Sequence, residues 1–297
     1  MRVPTRLPVT VLAGAAIVVS SVVGLNAGDS AANTAPMTEA RRPIPHRVAV
    51  YAHRGSSGST PENTLAAVDF AVAQHADFVE TDVRRTRDGR LVVMHDEGLG
   101  RTTDVEDVFP GRAPYRVRDF TLREIKRLDA GSWFSPQFAG ERVPTLGEFV
   151  GRIGRRSGLL LEIKDLGVEQ DIARELKRRP GYLTQAVAER KLIIQSFRVS
   201  SVRAIHKLLP EVPVAILYGV KPTDAALVEA ASWADHINPR KDLTDRKLID
   251  RVHDLGMRIA PYSLDTGQEM RKFLAMDVDG VITDNPGTLH DIETISR

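Results

Sequence analysis

The chain has 297 residues, 42% apolar and 27% charged, a composition that supports a sizeable core and excludes an intrinsically disordered chain. Its 41 Lys and Arg against 39 Asp and Glu leave a formal charge of +2, too balanced for the field that non-specific nucleic-acid binding needs, so no nucleic-acid partner is expected. The absence of cysteine excludes disulfides, thiolate zinc sites and a cysteine nucleophile, so any metal must rest on carboxylate, imidazole or carbonyl groups.

At the N-terminus, Arg2 and Arg6 precede residues 7–25, which carry no ionisable side chain; this is the charged and apolar pattern of an export signal. Ser30-Ala31-Ala32 supplies the small residues a signal peptidase wants, so residues 1–32 are expected to be a cleaved signal peptide. The mature protein is then secreted or extracytoplasmic, with no stable membrane insertion. The competing reading is an uncleaved anchor, since about 19 apolar residues just span a bilayer, although Pro8, Gly14, Ser20 and Ser21 weaken such a helix. Residues 33–46, with Pro36, Pro43 and Pro45 and no apolar period, are expected to be a flexible linker to a folded domain over 47–297.

Within that domain, strands and helices alternate. Residues 48–52 are a short apolar run, and 62–74 carry Leu65, Val68, Phe70 and Val72 at helical spacing after Pro61. Further strands are expected over 78–83, 91–94, 159–163, 192–195, 214–218, 236–238, 258–262 and 280–282, and helices over 168–177, 199–208, 224–232, 243–255 and 267–274. All-apolar runs such as Leu159-Leu160-Leu161 imply strands buried on both faces. About eight such repeats close most naturally into an α/β fold of the (β/α)₈ TIM-barrel class. Residues 98–144 break the rhythm, with turns near Pro110-Gly111 and a short helix over 121–128. They are expected to form a small insertion after the second-strand region, beside the site.

Barrel enzymes collect their catalytic groups at the C-terminal ends of the strands, and the polar residues there are His53, Arg54, Glu80, Asp82, His95, Asp96, Glu162 and Lys164. Glu80 and Asp82 share one strand face about 6.5 Å apart along the chain, close enough to converge on one hard cation, with Glu162 able to supply a third oxygen. One acid alone would be read as a salt bridge and one histidine as a core hydrogen-bonder. Three acids beside two histidines at strand ends argue instead for metal-assisted acid–base chemistry. Arg54 and Lys164 either neutralise those acids alone or also grip a substrate phosphate. The set equips a centre for phosphodiester hydrolysis, and no nucleophile elbow, P-loop or dinucleotide fingerprint competes with it.

In order and spacing, His53-Arg54-Gly55, Pro61-Glu62-Asn63-Thr64, Glu80-Thr81-Asp82-Val83, His95-Asp96, Leu161-Glu162-Ile163-Lys164 and the run Gly280-Val281-Ile282-Thr283-Asp284-Asn285-Pro286 resemble glycerophosphodiester phosphodiesterases. The resemblance spans residues 47–290. It implies a TIM barrel that uses one divalent cation, Ca²⁺ or Mg²⁺, to hydrolyse small-molecule glycerophosphodiesters to sn-glycerol 3-phosphate and an alcohol. By position it implies His53 and His95 as the catalytic pair, and Glu80, Asp82 and Glu162 as metal ligands. Arg54 and Lys164 take the place of phosphate-contacting cations, and Glu62 that of an acid near metal and substrate. One stretch departs: where many relatives carry a Trp-Thr-Val-Asn-like run, this chain has Ala260-Pro261-Tyr262-Ser263-Leu264-Asp265, and Tyr262 is expected to stack on the glycerol or alcohol moiety. Alternative substrates are an intact lysophospholipid, in a lysophospholipase D-like reaction, or a cell-wall glycerophosphate polymer. A surface binding protein without turnover is disfavoured by the complete set of acids and histidines. Nothing in the sequence specifies an oligomeric state.

Overall fold

Parallel strand–helix units follow one another along the chain in the computed structural model, which describes residues 47–295; the leader and linker expected over 1–46 lie outside the described residues. In order, the elements are β1 (Ala49–Ala52), α1 (Leu65–Ala73), β2 (Phe78–Arg85), β3 (Leu91–Val93), α2 (Val105–Val108), α3 (Leu122–Ile125) and α4 (Leu146–Ile153). Then come β4 (Gly158–Ile163), α5 (Glu169–Lys177), α6 (Tyr182–Ala188), β5 (Leu192–Ser196), α7 (Val199–Leu208), β6 (Val214–Tyr218) and α8 (Asp224–Ala231). The last are β7 (His236–Pro239), α9 (Arg246–Asp254), β8 (Arg258–Ile259), α10 (Gly267–Leu274), β9 (Gly280–Thr283) and α11 (Pro286–Ile295).

The staves run β8-β7-β6-β5-β4-β2-β1-β9, every neighbour parallel. Between the outermost pair, the N–H groups of Asp279 and Ile282 reach the carbonyls of Ile259 (3.0 Å) and Pro261 (3.1 Å), bringing the sheet to near closure. The barrel expected from the alternation is therefore present. The run at 91–93 is not a stave: β3 pairs antiparallel with the end of β2, Val83 opposite Val93, and leads the chain out into the insertion.

Strand alternation sorts the side chains into layers. Leu159, Leu161 and Ile163 point to the helices and join the large apolar layer around the barrel, whereas Leu160 joins Tyr51, Ile193, Ala215, Ala260 and Ile282 inside it. Tyr51 and Phe78, partners on the adjacent strands β1 and β2, stack in the lower lumen at 4.9 Å. Their bulk requires glycine alongside: a Cβ on Gly158 would lie 2.4 Å from the Phe78 ring, and one on Gly280 the same distance from Tyr51. Large aromatic rings thus plug the floor and leave the upper lumen to polar groups.

Several boundaries differ from expectation: α9 starts at Arg246 rather than 243, because the Asp245 side chain caps it by accepting the Leu248 N–H, and two more have a similarly local cause. Helix α1 starts at Leu65 rather than 62, because the Thr64 side chain caps it by accepting the Ala67 N–H, and Pro61-Glu62-Asn63 form the preceding turn with Asn63 at φ 60°. Strand β8 ends at Ile259 rather than 262, because Pro261 has no N–H to give; pairing with β7 resumes at Tyr262, whose N–H meets the Pro239 carbonyl at 3.0 Å. The insertion packs its own core of Leu99, Val105, Val117, Phe120, Ile125 and Leu128 against Val92 and Met94. Among the described residues no helix is long and apolar enough to cross a membrane.

Candidate active site

Glu80 and Asp82 follow Phe78 on the lumen-facing side of β2, and the register that sets Asp82 opposite Glu162 brings the three carboxylates together. One oxygen from each lies within 4.8 Å of the other two, and all three residues are buried. The N–H of Arg54 donates to Glu80 Oε2 at 2.7 Å, and Asn63 Nδ2 donates to Asp82 Oδ2 at 2.8 Å. Lys164 Nζ sits 2.8 Å from Glu162 Oε1 and 3.5 Å from Asp82 Oδ1, while Arg54 Nε lies 3.6 Å from Asp82 Oδ2. The local backbone is bent to allow this. Arg54 adopts φ 54°, and Gly55, at φ 85°, passes so close to α1 that a Cβ would meet that of Ala67 at 2.5 Å.

The electrostatics follow from crowding. Burial and the neighbouring charges of Asp82 and Glu162 push the Glu80 carboxyl well above the ordinary carboxylate range. Burial and Asp82 push Glu162 up to about 7, against the opposing pull of Lys164. Burial also acts on Asp82, but Lys164 and Arg54 outweigh it and hold that carboxyl down at about 2. Ionised together, three acids facing two cations would carry uncompensated negative charge on a cluster of hard oxygen donors. That donor set fits one hard divalent cation.

Each imidazole is backed by a carboxylate. His53 Nδ1 lies 2.6 Å from Asp284 Oδ1, which also accepts from Ser57 Oγ at 2.9 Å, and His95 Nδ1 lies 2.6 Å from Asp96 Oδ1. A carboxylate on one ring nitrogen fixes the ring and leaves the other nitrogen to face substrate. Burial, aided by Lys164 and Arg54, holds the His95 imidazole below its ordinary value although Asp82 pulls the other way. Glu62 accepts from Arg54 Nη1 at 3.1 Å and from Arg101 at 2.7 and 2.8 Å.

The model of the glycerophosphoryl diester phosphodiesterase family matches residues 53–288, which span every group described above. The chain belongs to this family. Among its relatives, a glycerophosphodiester phosphodiesterase of Caldanaerobacter subterraneus is 38% identical over 250 residues, covering 81% of this chain and 95% of that protein. Another from Bacillus subtilis is 34% identical over 265 residues, covering 84% and 87%. Among solved structures, a phosphodiesterase of Oleispira antarctica in complex with the product sn-glycerol-3-phosphate superimposes with a TM-score of 0.70 at 26% identity, covering 84% of this chain and 97% of that one.

Within this glycerophosphoryl diester phosphodiesterase barrel, every candidate site residue read from the sequence reaches the C-terminal mouth. Tyr262 stands there with its hydroxyl donating to the Tyr218 carbonyl at 3.2 Å and its ring against Phe197, centroids 5.9 Å apart. Burial and the Glu162 charge push its phenol up to about 12, so it stays protonated as a donor. Asn63, Arg101, Asp284 and Gln195 are not among the strand-end candidates of the sequence, and Asp96 is there without a role of its own. Gln195, opposite Glu162 in the strand register, brings Nε2 to 3.5 Å from Glu80 Oε1 and accepts at Oε1 from Asn238 Nδ2 at 2.8 Å, a buried link beside the acids. Asp96 and Gln195 lie at strand ends and Asn63 and Asp284 inside motifs that carry the resemblance, whereas Arg101, in the insertion, has no such signal.

Proposed function

We propose that the protein hydrolyses glycerophosphodiesters to sn-glycerol 3-phosphate and an alcohol, with His53 and His95 as general acid and base and with Glu80, Asp82 and Glu162 holding one Ca²⁺ or Mg²⁺. The observation that carries this reading is the meeting of three buried carboxylates with two carboxylate-backed imidazoles at one barrel mouth. When bound, the cation neutralises charge developing on the nonbridging phosphate oxygens. Arg54 and Lys164 grip the same phosphate, Arg54 with a planar fork suited to two oxygens. One imidazole takes the proton of the attacking hydroxyl, and the other delivers a proton to the departing alkoxide oxygen. With the neighbouring hydroxyl of the substrate glycerol as nucleophile, the new P–O bond closes a cyclic phosphate as the P–O bond to the alcohol breaks, and water then opens the ring. Phosphorus NMR during turnover separates this route, which passes through the cyclic ester, from direct attack by water.

The decisive experiment measures glycerol 3-phosphate release from a panel of glycerophosphodiesters, with chelator and with Ca²⁺ or Mg²⁺ added back. Chelation is expected to abolish release and add-back to restore it. His53→Ala and His95→Ala are each expected to lower kcat by roughly 10²-fold or more, and wild-type-like rates in either variant would end this assignment.

A second substrate is favoured by one feature of the mouth. Leu166, Phe197 and Val220, on the loops that follow the neighbouring strands β4, β5 and β6, are 60%, 46% and 73% exposed, and Phe197 stands against Tyr262. An acyl chain would cover them, so choline release from lysophosphatidylcholine, compared with glycerophosphocholine, tests a lysophospholipase D-like activity. The protein is further proposed to act outside the cytoplasm, exported by residues 1–32.

A further inference from the structure

We propose that Arg101 is a positioning residue: a single guanidinium carried by the insertion orients the His95 imidazole through Asp96 and the Arg54 guanidinium through Glu62. The inference rests on the reading of His95 and Arg54 as groups that meet the substrate.

The geometry is that of a two-sided clamp. Arg101 Nη1 and Nη2 donate to Glu62 Oε2 and Oε1 at 2.8 and 2.7 Å. Nε and Nη2 of the same side chain donate to Asp96 Oδ2 and Oδ1 at 2.5 and 3.2 Å. Beyond the clamp, Asp96 Oδ1 meets His95 Nδ1 at 2.6 Å and Glu62 Oε1 accepts from Arg54 Nη1 at 3.1 Å. Both site groups are thereby tied through one carboxylate each to one planar fork. Lysine could not reproduce this, because its ammonium is a single point of charge.

An exposed ion pair contributes little, and Arg101 itself is 43% exposed at its side chain. Three features lift this one out of that class. Its carboxylate partner Glu62 is only 10% exposed, the contacts are bidentate, and the chain on either side of Arg101 is anchored. Leu99 is fully buried in the insertion core, and Thr103 Oγ1 donates to the Leu99 carbonyl at 2.7 Å. Thr102 is buried as well, its hydroxyl 3.4 Å from Met94 Sδ. The insertion therefore does more than wall one side of the mouth. It presents a guanidinium from a separately packed core to two loops that leave β1 and the β2–β3 hairpin.

Steady-state kinetics of Arg101→Ala, Arg101→Lys, Asp96→Asn and the Arg101→Ala/Asp96→Asn double variant test the clamp. Arg101→Ala and Arg101→Lys are expected to lower kcat on the order of tenfold or more, because small misplacements of reacting groups carry that cost. The double variant is expected to lose less than the product of the two single losses, because Arg101 and Asp96 share the branch that ends on His95 while Arg101 also acts through Glu62. A second reading needs no turnover: in imidazole ¹H–¹⁵N spectra the His95 Nδ1 signal is expected to shift in Arg101→Lys while thermal stability stays within a few degrees of wild type. A kcat within twofold of wild type in Arg101→Ala, losses that multiply in the double variant, or an unmoved His95 signal would overturn the clamp and leave the hydrolase reading intact. A wild-type protein that releases no glycerol 3-phosphate from any diester would instead sink both.

Discussion

Glu80 and Asp82 stand two residues apart on one strand, yet their surroundings drive them in opposite directions. Burial dominates at Glu80, with Asp82 and Glu162 adding repulsion, whereas at Asp82 the cations Lys164 and Arg54 overcome burial. A carboxyl whose folded value lies above its unfolded value costs stability once the pH exceeds the unfolded value, so without a cation Glu80 weakens the fold at neutral pH. Glu80→Gln keeps an oxygen to accept the Arg54 N–H and removes the charge. Its Tm in chelator is expected to rise by roughly 2–4 °C, the equivalent of about 1 kcal/mol for a domain of this size, while the gain in Tm on adding Ca²⁺ or Mg²⁺ shrinks. Thermal melts in both conditions check this; a lower Tm in chelator together with an undiminished cation response would contradict it. At this scale the acids, histidines and cations were legible because position at a strand end marks them. Their supports were not: His53 and Asp284 are 231 positions apart, and only folding makes them partners.

The strand and helix patterns were legible over most of the chain, although α4, α6 and α11 were not among the helices expected. They failed where a local interaction set the boundary, as with the Thr64 cap of α1 and the missing N–H of Pro261 beside β8. The glycines facing the lumen could not be read as packing devices, since Gly158 meets Phe78 only across the sheet. Gly158→Ala is expected to cost about 1–3 kcal/mol through overpacking against that ring, visible as a lower denaturation midpoint. An unchanged midpoint would show that the floor of the barrel yields. In the insertion, Asp129 accepts the N–H groups of Gly131, Ser132 and Gly140 at 2.8, 2.8 and 2.7 Å and ties the loop between them. Burial pushes that carboxyl up, but the three backbone donors prevail and bring it down to about 2 from 3.8. A depressed value means stability that is present above the unfolded value and lost as pH falls through the folded one. Asp129→Asn is therefore expected to be less stable than wild type at neutral pH, with the gap closing between about pH 4 and pH 2 in acid melts. A gap that holds constant across that window would assign the stabilisation to something other than the charge.

For the whole molecule, the alternation of short apolar strands with amphipathic helices determined the barrel class, because strands buried on both faces leave few ways to cover a parallel sheet. The export signal proposed for residues 1–32 belongs to this scale too. Mass spectrometry of the mature protein from its native host is expected to find the first residue near 33, and an intact Met1 would favour the anchored form instead. What the amino-acid order determined by itself was the set of strands, the strand-end acids, histidines and cations, and the polar insertion, since each is written in local period and residue type. The tertiary structure alone decided that 91–93 is a hairpin strand rather than a stave, that Asp284 and Asp96 back the two imidazoles, and that Arg101 reaches across from the insertion to Glu62. Those relations depend on register and closure, which bring together residues that no local pattern links.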